Sequence, residues 1–169
     1  EGTAILASDR EKQLKKVLSA SALQNAKTFF NQISVVKEAK TAIKTGGVNA
    51  MHDPTEGGVA GGIHEMADAS NLGVKVFEEK IAVQPETVKI CKFLKIDPLQ
   101  LISSGALLIS AKPDFAEKIV GNLGQQQIHA FIIGEFVKEP HSRLLLKGDE
   151  KVRTLPRPAL DHLWLALEK

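Results

Sequence analysis

The sequence predicts an α/β sandwich of two or three layers, an α+β arrangement with a mixed β-sheet. Three observations carry that expectation. The first third reads as helix, strand-like and helix-like periodicities then alternate through residues 48–123, and two further strand segments follow close together near the end. The composition agrees, since 169 residues, 43% hydrophobic and 25% charged, suit one globular domain around one sizeable core.

Taken in order, residues 9–18 and 20–30 combine strong helix formers with apolar residues three and four apart, and Ser8 or Ser19 stands where a cap belongs. A third helix is expected over 34–44, where Val35, Val36, Ala39, Ala42 and Ile43 share a face before Gly46-Gly47 ends it. Residues 48–51 form a short apolar strand running into His52-Asp53-Pro54-Thr55, and residues 56–70 are helical through Val59, Ile63, Met66 and Ala67. Val74 and Val76 then alternate on a half-buried strand over 73–77, and a helix over 85–94 opens with Pro85 where proline is best tolerated. After a break at Ile96-Asp97-Pro98, residues 99–105 lead into a buried strand over 106–111 and an amphipathic helix over 114–123, closed by Gly124. Strands are expected over 128–137 and 142–147. The polar stretch 148–157 precedes a last helix over 159–168, expected as an appendage packed onto the body through Trp164 and its neighbouring leucines, unless Trp164 marks a surface for another domain or a partner.

Charge narrows the partners. Twenty-two Lys+Arg against twenty Asp+Glu give a net charge of +2, and the basic residues are dispersed, so neither nucleic acid nor an anionic membrane surface is an expected partner. The single cysteine, Cys91, falls on the apolar side of a helix and reads as packing. No stretch reaches the roughly 18 apolar residues of a membrane span and no signal-peptide pattern opens the chain, from which a cytoplasmic location is expected. His129, His141 and His162 are too scattered to form a metal set, and no metal site is assigned.

The chemistry concentrates in His52-Asp53-Pro54-Thr55-Glu56-Gly57-Gly58-Val59-Ala60-Gly61-Gly62. Four glycines in six residues at the opening of a helix are costly, about 1 kcal/mol each relative to alanine in a helix interior. Two explanations stand. Backbone amides and the positive end of the helix could receive a phosphate, with Thr55 donating its hydroxyl and Asp53 capping the helix or helping to hold a metal. Alternatively the glycines allow close packing, with Asp53 or Thr55 as cap and no ligand. The pattern is neither a Walker loop, since no lysine follows, nor the dinucleotide fingerprint. His52 reads as a ligand, a proton carrier or a structural histidine. His64 and Glu65 lie further along the same helix, in solvated or sheet-facing positions, and Ser103 and Ser104 offer hydroxyls to a ligand or simply form a turn.

Asp53-Pro54-Thr55 followed by Gly57-Gly58 is similar to the Asp-Pro-Thr-Arg-Gly-Gly stretch of the hydrogenase-maturation dehydratases, and more loosely to matching segments across the aminoimidazole-ribonucleotide-synthetase (PurM-like) superfamily. Residues 1–7 resemble that superfamily's junction between its two domains, Asp97-Pro98-Leu99 with Gly105 its second glycine site, and residues 128–134 its late strand ending in Ile-Gly. The resemblance implies a PurM-like C-terminal domain over 8–147, a junction over 1–7 from an N-terminal ATP-binding domain, and an extension over 148–169. It implies ATP and Mg2+, held mostly by that N-terminal domain, a homodimer of the full-length protein, a maturation partner protein, and phosphoryl-transfer, dehydratase or ligase chemistry. The phosphate would face Asp53, Thr55, Gly57 and Gly58, and the substrate cleft would take in His52, Glu56, Glu65, Ser103, Ser104 and Gly105, with no catalytic residue assigned. Three departures imply a divergent relative whose substrate need not be the hydrogenase carboxamide, and the first two of them favour a second reading as a binding or regulatory module without catalysis. Glu56 replaces the usual arginine, Ser103-Ser104 replace Asn-Glu, and residues 166–169 carry no terminal cysteine.

Overall fold

The structure is a computed structural model that describes residues 1–148 and 151–168. Residues 149 and 150 of the expected polar stretch, and Lys169 of the expected extension, lie outside the described residues.

The helices are α1 (Gly2–Asp9), α2 (Glu11–Leu14), α3 (Ala20–Thr28), α4 (Val36–Thr45), α5 (Gly58–Ser70), α6 (Pro85–Leu94), α7 (Pro113–Gln125) and α8 (His162–Leu167). The strands are β1 (Val48–His52), β2 (Gly73–Phe77), β3 (Leu108–Ala111), β4 (Gly134–Val137), β5 (Arg143–Lys147) and β6 (Lys151–Thr154). Strands β1 and β3 form an antiparallel pair, while the others make a sheet in the order β4-β2-β5-β6. That sheet is mixed, as expected: β2 runs parallel to β5 and antiparallel to β4, and β6 returns antiparallel to β5.

Among the described residues, three apolar clusters hold these parts together. The first joins α1, α3, α6 and α8 through Leu6, Leu23, Ile90, Leu94, Leu163 and their neighbours. The second presses Ala60, Ile63 and Ala67 of α5 onto Val74, Val76 and Leu145 of the four-stranded sheet. The third packs α4 and α7 onto the β1–β3 pair around Ala42, Ile119 and Leu123. Segment 1–7 is therefore mostly interior: Ala4, Leu6 and Ala7 are fully buried, and the Thr3 and Thr87 hydroxyls share a 2.7 Å hydrogen bond between α1 and α6. Cys91 is buried in the first cluster, and burial, with Asp97 adding to it, pushes its thiol up to about 12, which fits packing and not chemistry.

Several boundaries differ from expectation for local reasons. The helix expected over 9–18 breaks at Arg10, which leaves helical geometry and ends α1 before α2 starts. Ser19 caps α3 by accepting from the Ala22 amide at 3.2 Å, whereas the Ser8 hydroxyl donates back to the Ala4 carbonyl inside α1 and caps nothing. Helix α7 runs through Gly124 to Gln125. The strand expected over 128–137 forms only at 134–137, because the ladder to β2 begins at Gly134 opposite Val76. The last segment is no appendage. Strand β6 extends the sheet, Leu155 is 1% exposed in the second cluster, and Leu163 and Ala166 enter the first.

Candidate functional site

Strand β1 delivers His52 to the edge of the glycine-rich segment, and the chain then turns through residues 53–57 into α5. Gly57 and Gly58 take left-handed φ angles of +78° and +61°, which a side chain rarely adopts. The Gly58 amide donates to the Thr55 carbonyl at 3.0 Å and closes the turn. A Cβ on Gly58 would also press into the carbonyl oxygens of Leu101 and Leu99, the latter at 2.8 Å. On Gly62 it would meet Pro54 at 2.9 Å, Leu108 at 3.0 Å and the His52 ring at 3.2 Å. Close approach thus accounts for both positions without any ligand.

Neither Asp53 nor Thr55 caps α5, which removes capping from the alternatives open to each. The N-cap is Gly57, with no side-chain cap bond, and its amide donates instead to Asp161 Oδ2 at 2.7 Å. Asp161 comes from the far end of the sequence, is 5% exposed, and accepts from the Leu163 amide with its other oxygen at 2.7 Å. A carboxylate therefore already sits where the amide and the helix start favour an anion. Residues 155–161 reach it by running back along α5. The Leu155 carbonyl accepts from His64 Nε2 at 3.3 Å, Arg157 bonds Asp68, and Pro158 lies 3.4 Å from where a Gly57 Cβ would stand.

The remaining candidates divide. His52 Nε2 contacts Glu65 Oε2, which joins the end of β1 to the outer side of α5. Asp53 lies beside them with Oδ1 buried and without a hydrogen-bond partner among the described residues. Thr55 and Glu56 are exposed. Ser103 spends its hydroxyl on the Leu101 carbonyl at 2.6 Å, and no hydrogen bond among the described residues joins Ser103 or Ser104 to the 52–58 turn. Gly105, at φ +102°, would place a Cβ 2.8 Å from the Gln32 carbonyl, so its glycine answers to the chain beside it. His64 is buried, with Nδ1 unpartnered among the described residues; burial first, then the Arg157 and Arg143 charges, hold it below the ordinary histidine range. Arg143, followed by Arg157, draws the Asp68 carboxyl below its ordinary range.

Asp161 escaped sequence reasoning. An aspartate before His162-Leu163 is a legible helix cap, but its second bond, to a residue 104 positions away, has no local signal.

A mixed sheet backed by a glycine-opened helix, with a β-paired turn feeding that helix, defines this chain as a PurM-like C-terminal domain. It belongs to the family described as AIR synthase related protein, C-terminal domain, which matches residues 1–147. A hydrogenase expression/formation protein of Methanocaldococcus jannaschii is 39% identical over 94 residues, 54% of this chain and 28% of that protein. The carbamoyl dehydratase HypE of Escherichia coli is 33% identical over 113 residues, 65% of this chain and 34% of the enzyme. The crystal structure of E. coli HypE matches with a TM-score of 0.68 at 28% identity, over 75% of this chain and 40% of that one. A HypE solved in complex with ATP shares the fold at 24% identity and a TM-score of 0.64 over 73% of this chain and 40% of that one. The chain thus spans well under half the length of these relatives. Among the described residues no helix is long and apolar enough to cross a membrane.

Proposed function

We propose that this chain is the C-terminal domain of a two-domain, ATP-dependent enzyme of the phosphoryl-transfer, dehydratase or ligase type. In this reading an N-terminal domain binds most of the ATP and the magnesium, and α5 presents its glycine-rich start to the phosphate across the interdomain cleft. The observation that carries it is the turn from His52 to Gly58, in which two left-handed glycines aim the start of a 13-residue helix, with Asp53 Oδ1 beside it lacking a hydrogen-bond partner among the described residues. HypE has been solved with ATP, and E. coli HypE is a carbamoyl dehydratase, which supports ATP as the co-substrate.

The residues fit a phosphate through the α5 backbone and the exposed Thr55 hydroxyl once the Gly57 amide is free. For magnesium, no three His, Cys, Asp or Glu side chains gather among the described residues, so Asp53 would add at most one ligand to a set supplied by the N-terminal domain. Proton transfer falls to the His52–Glu65 pair, since Ser104 stands where the carboxylate is expected and the Ser103 hydroxyl is committed to a carbonyl. The exposed Glu56, standing where the HypE-like motif has arginine, argues for an acceptor other than the HypE carbamoyl group. The same proposal includes a homodimer of the full-length protein, a maturation partner of the kind HypF is to HypE, and a cytoplasmic setting.

Calorimetric titration of magnesium-ATP into the full-length protein, beside Asp53→Asn and Thr55→Ala, tests this. Saturable binding that falls about tenfold in a variant is the expected result, the size of one lost charge-assisted hydrogen bond. No binding by the intact protein would overturn it. A second reading, a binding or regulatory module without turnover, is favoured by one observation: Asp161 already occupies the Gly57 amide.

A further inference from the structure

We infer that residues 155–168 form a phosphate-displaced latch, with Asp161 as an internal anion that holds the glycine turn closed until a phosphate group takes its place. This rests on the phosphate-facing reading of α5 and adds the regulation of that site.

The argument begins with what the carboxylate touches. Asp161 Oδ2 accepts from the Gly57 amide and Oδ1 from the Leu163 amide, both at 2.7 Å and both buried. A single side chain therefore closes the start of α5 and caps α8. A phosphate oxygen reaching the Gly57 amide would meet this carboxylate, and two anions cannot share one donor in a poorly solvated corner. Binding there requires Asp161 to leave, and its departure also uncaps α8.

The rest of the segment is built to lift from that end. Gly57 and Gly61 lie one turn apart under Pro158, so the strap lies on a strip without side chains at its seat. Helix α8 has six residues, too few to persist on its own helix propensity. It is seated by Leu163 and Ala166, while Leu160, Trp164 and Leu165 are 47%, 45% and 36% exposed. Two polar contacts complete the seat: the Asp97 amide donates to His162 Nδ1 at 2.8 Å, and Arg10 donates to the Leu167 carbonyl. By contrast, Leu155 is 1% exposed in the sheet cluster and Arg157 is paired with Asp68. The strap is rooted at 155–157 in the sheet cluster, and its tip is a short helix seated by Asp161, Leu163 and Ala166 with its outer side chains exposed, so that the Asp161 bonds and this small apolar seat are what must open.

Trp164 is the chain's one tryptophan and lies on the tip, so it reports the motion directly. Inorganic phosphate is titrated into the 169-residue chain while Trp164 emission and the Gly57 amide resonance are followed, for the parent, Asp161→Asn and Leu163→Ala. Asp161→Asn keeps a capping side chain and removes the charge; Leu163→Ala loosens the seat without touching Gly57. The expected result is a Gly57 shift and a Trp164 change on the same isotherm in the parent, with both variants binding phosphate about tenfold more tightly. A Gly57 shift with static Trp164 emission and unchanged affinity in the variants overturns the latch and leaves the phosphate site standing. Tightening by Asp161→Asn but not by Leu163→Ala reduces the effect to charge removal and also overturns the latch. If phosphate fails to move the Gly57 resonance in every form, the phosphate-facing reading falls and the latch falls with it. Should Asp161→Asn not fold, the Leu163→Ala comparison decides alone.

Discussion

At Gly58 the backbone conformation and the surroundings both demand glycine. A φ of +61° costs a substituted residue about 1–3 kcal/mol, and the carbonyl oxygens of Leu99 and Leu101 leave no volume for a Cβ. Gly58→Ala should therefore lower unfolding stability by about 3 kcal/mol or more, read from the urea midpoint, whether or not a ligand exists. His64 makes a second prediction at this scale. Its proton affinity is lowered in the fold, so below the ordinary histidine value of about 6.5 the unfolded chain binds a proton that the folded chain refuses. Stability should fall as pH drops from 7 towards 5, and His64→Gln should flatten that slope in chemical denaturation series. Asp68 acts in the same direction but lower down: its contribution, from the arginine pairs, is present above the ordinary carboxylate range and is lost on further acidification. The glycines were legible in the sequence as exceptional residues, and close packing was one of the two reasons the sequence offered. The partners were not legible, because Leu101, Pro158 and Asp161 are distant in sequence and leave no periodic trace.

Elements show the same division. The apolar spacing of α4, α5, α6 and α7 and the alternation of β2 are encoded within each segment, and each formed close to where its pattern ends. Strand β6 was hidden, because its pairing with β5 is decided by the partner and its sequence looks like a polar connection. Residues 128–133 erred in the other direction: they have the apolar run of a strand, but the ladder to β2 starts only at Gly134. Caps are the most local signals of all. Ser19→Ala should cost about 1 kcal/mol, measured as a lowered thermal midpoint, because it strips the Ala22 amide of its partner. Ser8→Ala should be nearly silent in the same assay, since its hydroxyl bonds a carbonyl already inside α1.

The whole molecule is organised around three clusters that the chain visits out of order. Helix α1 opens the sequence and α8 closes it, yet both enter the first cluster. Leu6 is fully buried there, and Leu6→Ala should cost about 2–5 kcal/mol by denaturant titration. The class of fold was legible because alternating periodicities constrain layer architecture. The return of the last segment across α5 was not, because long-range closure depends on which surfaces remain uncovered once the layers have formed.

The parallel pairing of β2 with β5 also governs the chain's birth. Val74 must wait for Arg143, its partner 69 positions later, and the antiparallel neighbour β4 arrives only shortly before. At about 5–20 residues per second of synthesis, β2 spends several seconds with both edges open. During that interval its valines are available to a chaperone or to the same strand of another nascent chain. Ribosome-bound chains arrested before residue 134 should accordingly be held by chaperones, and those long enough to expose β5 should release them.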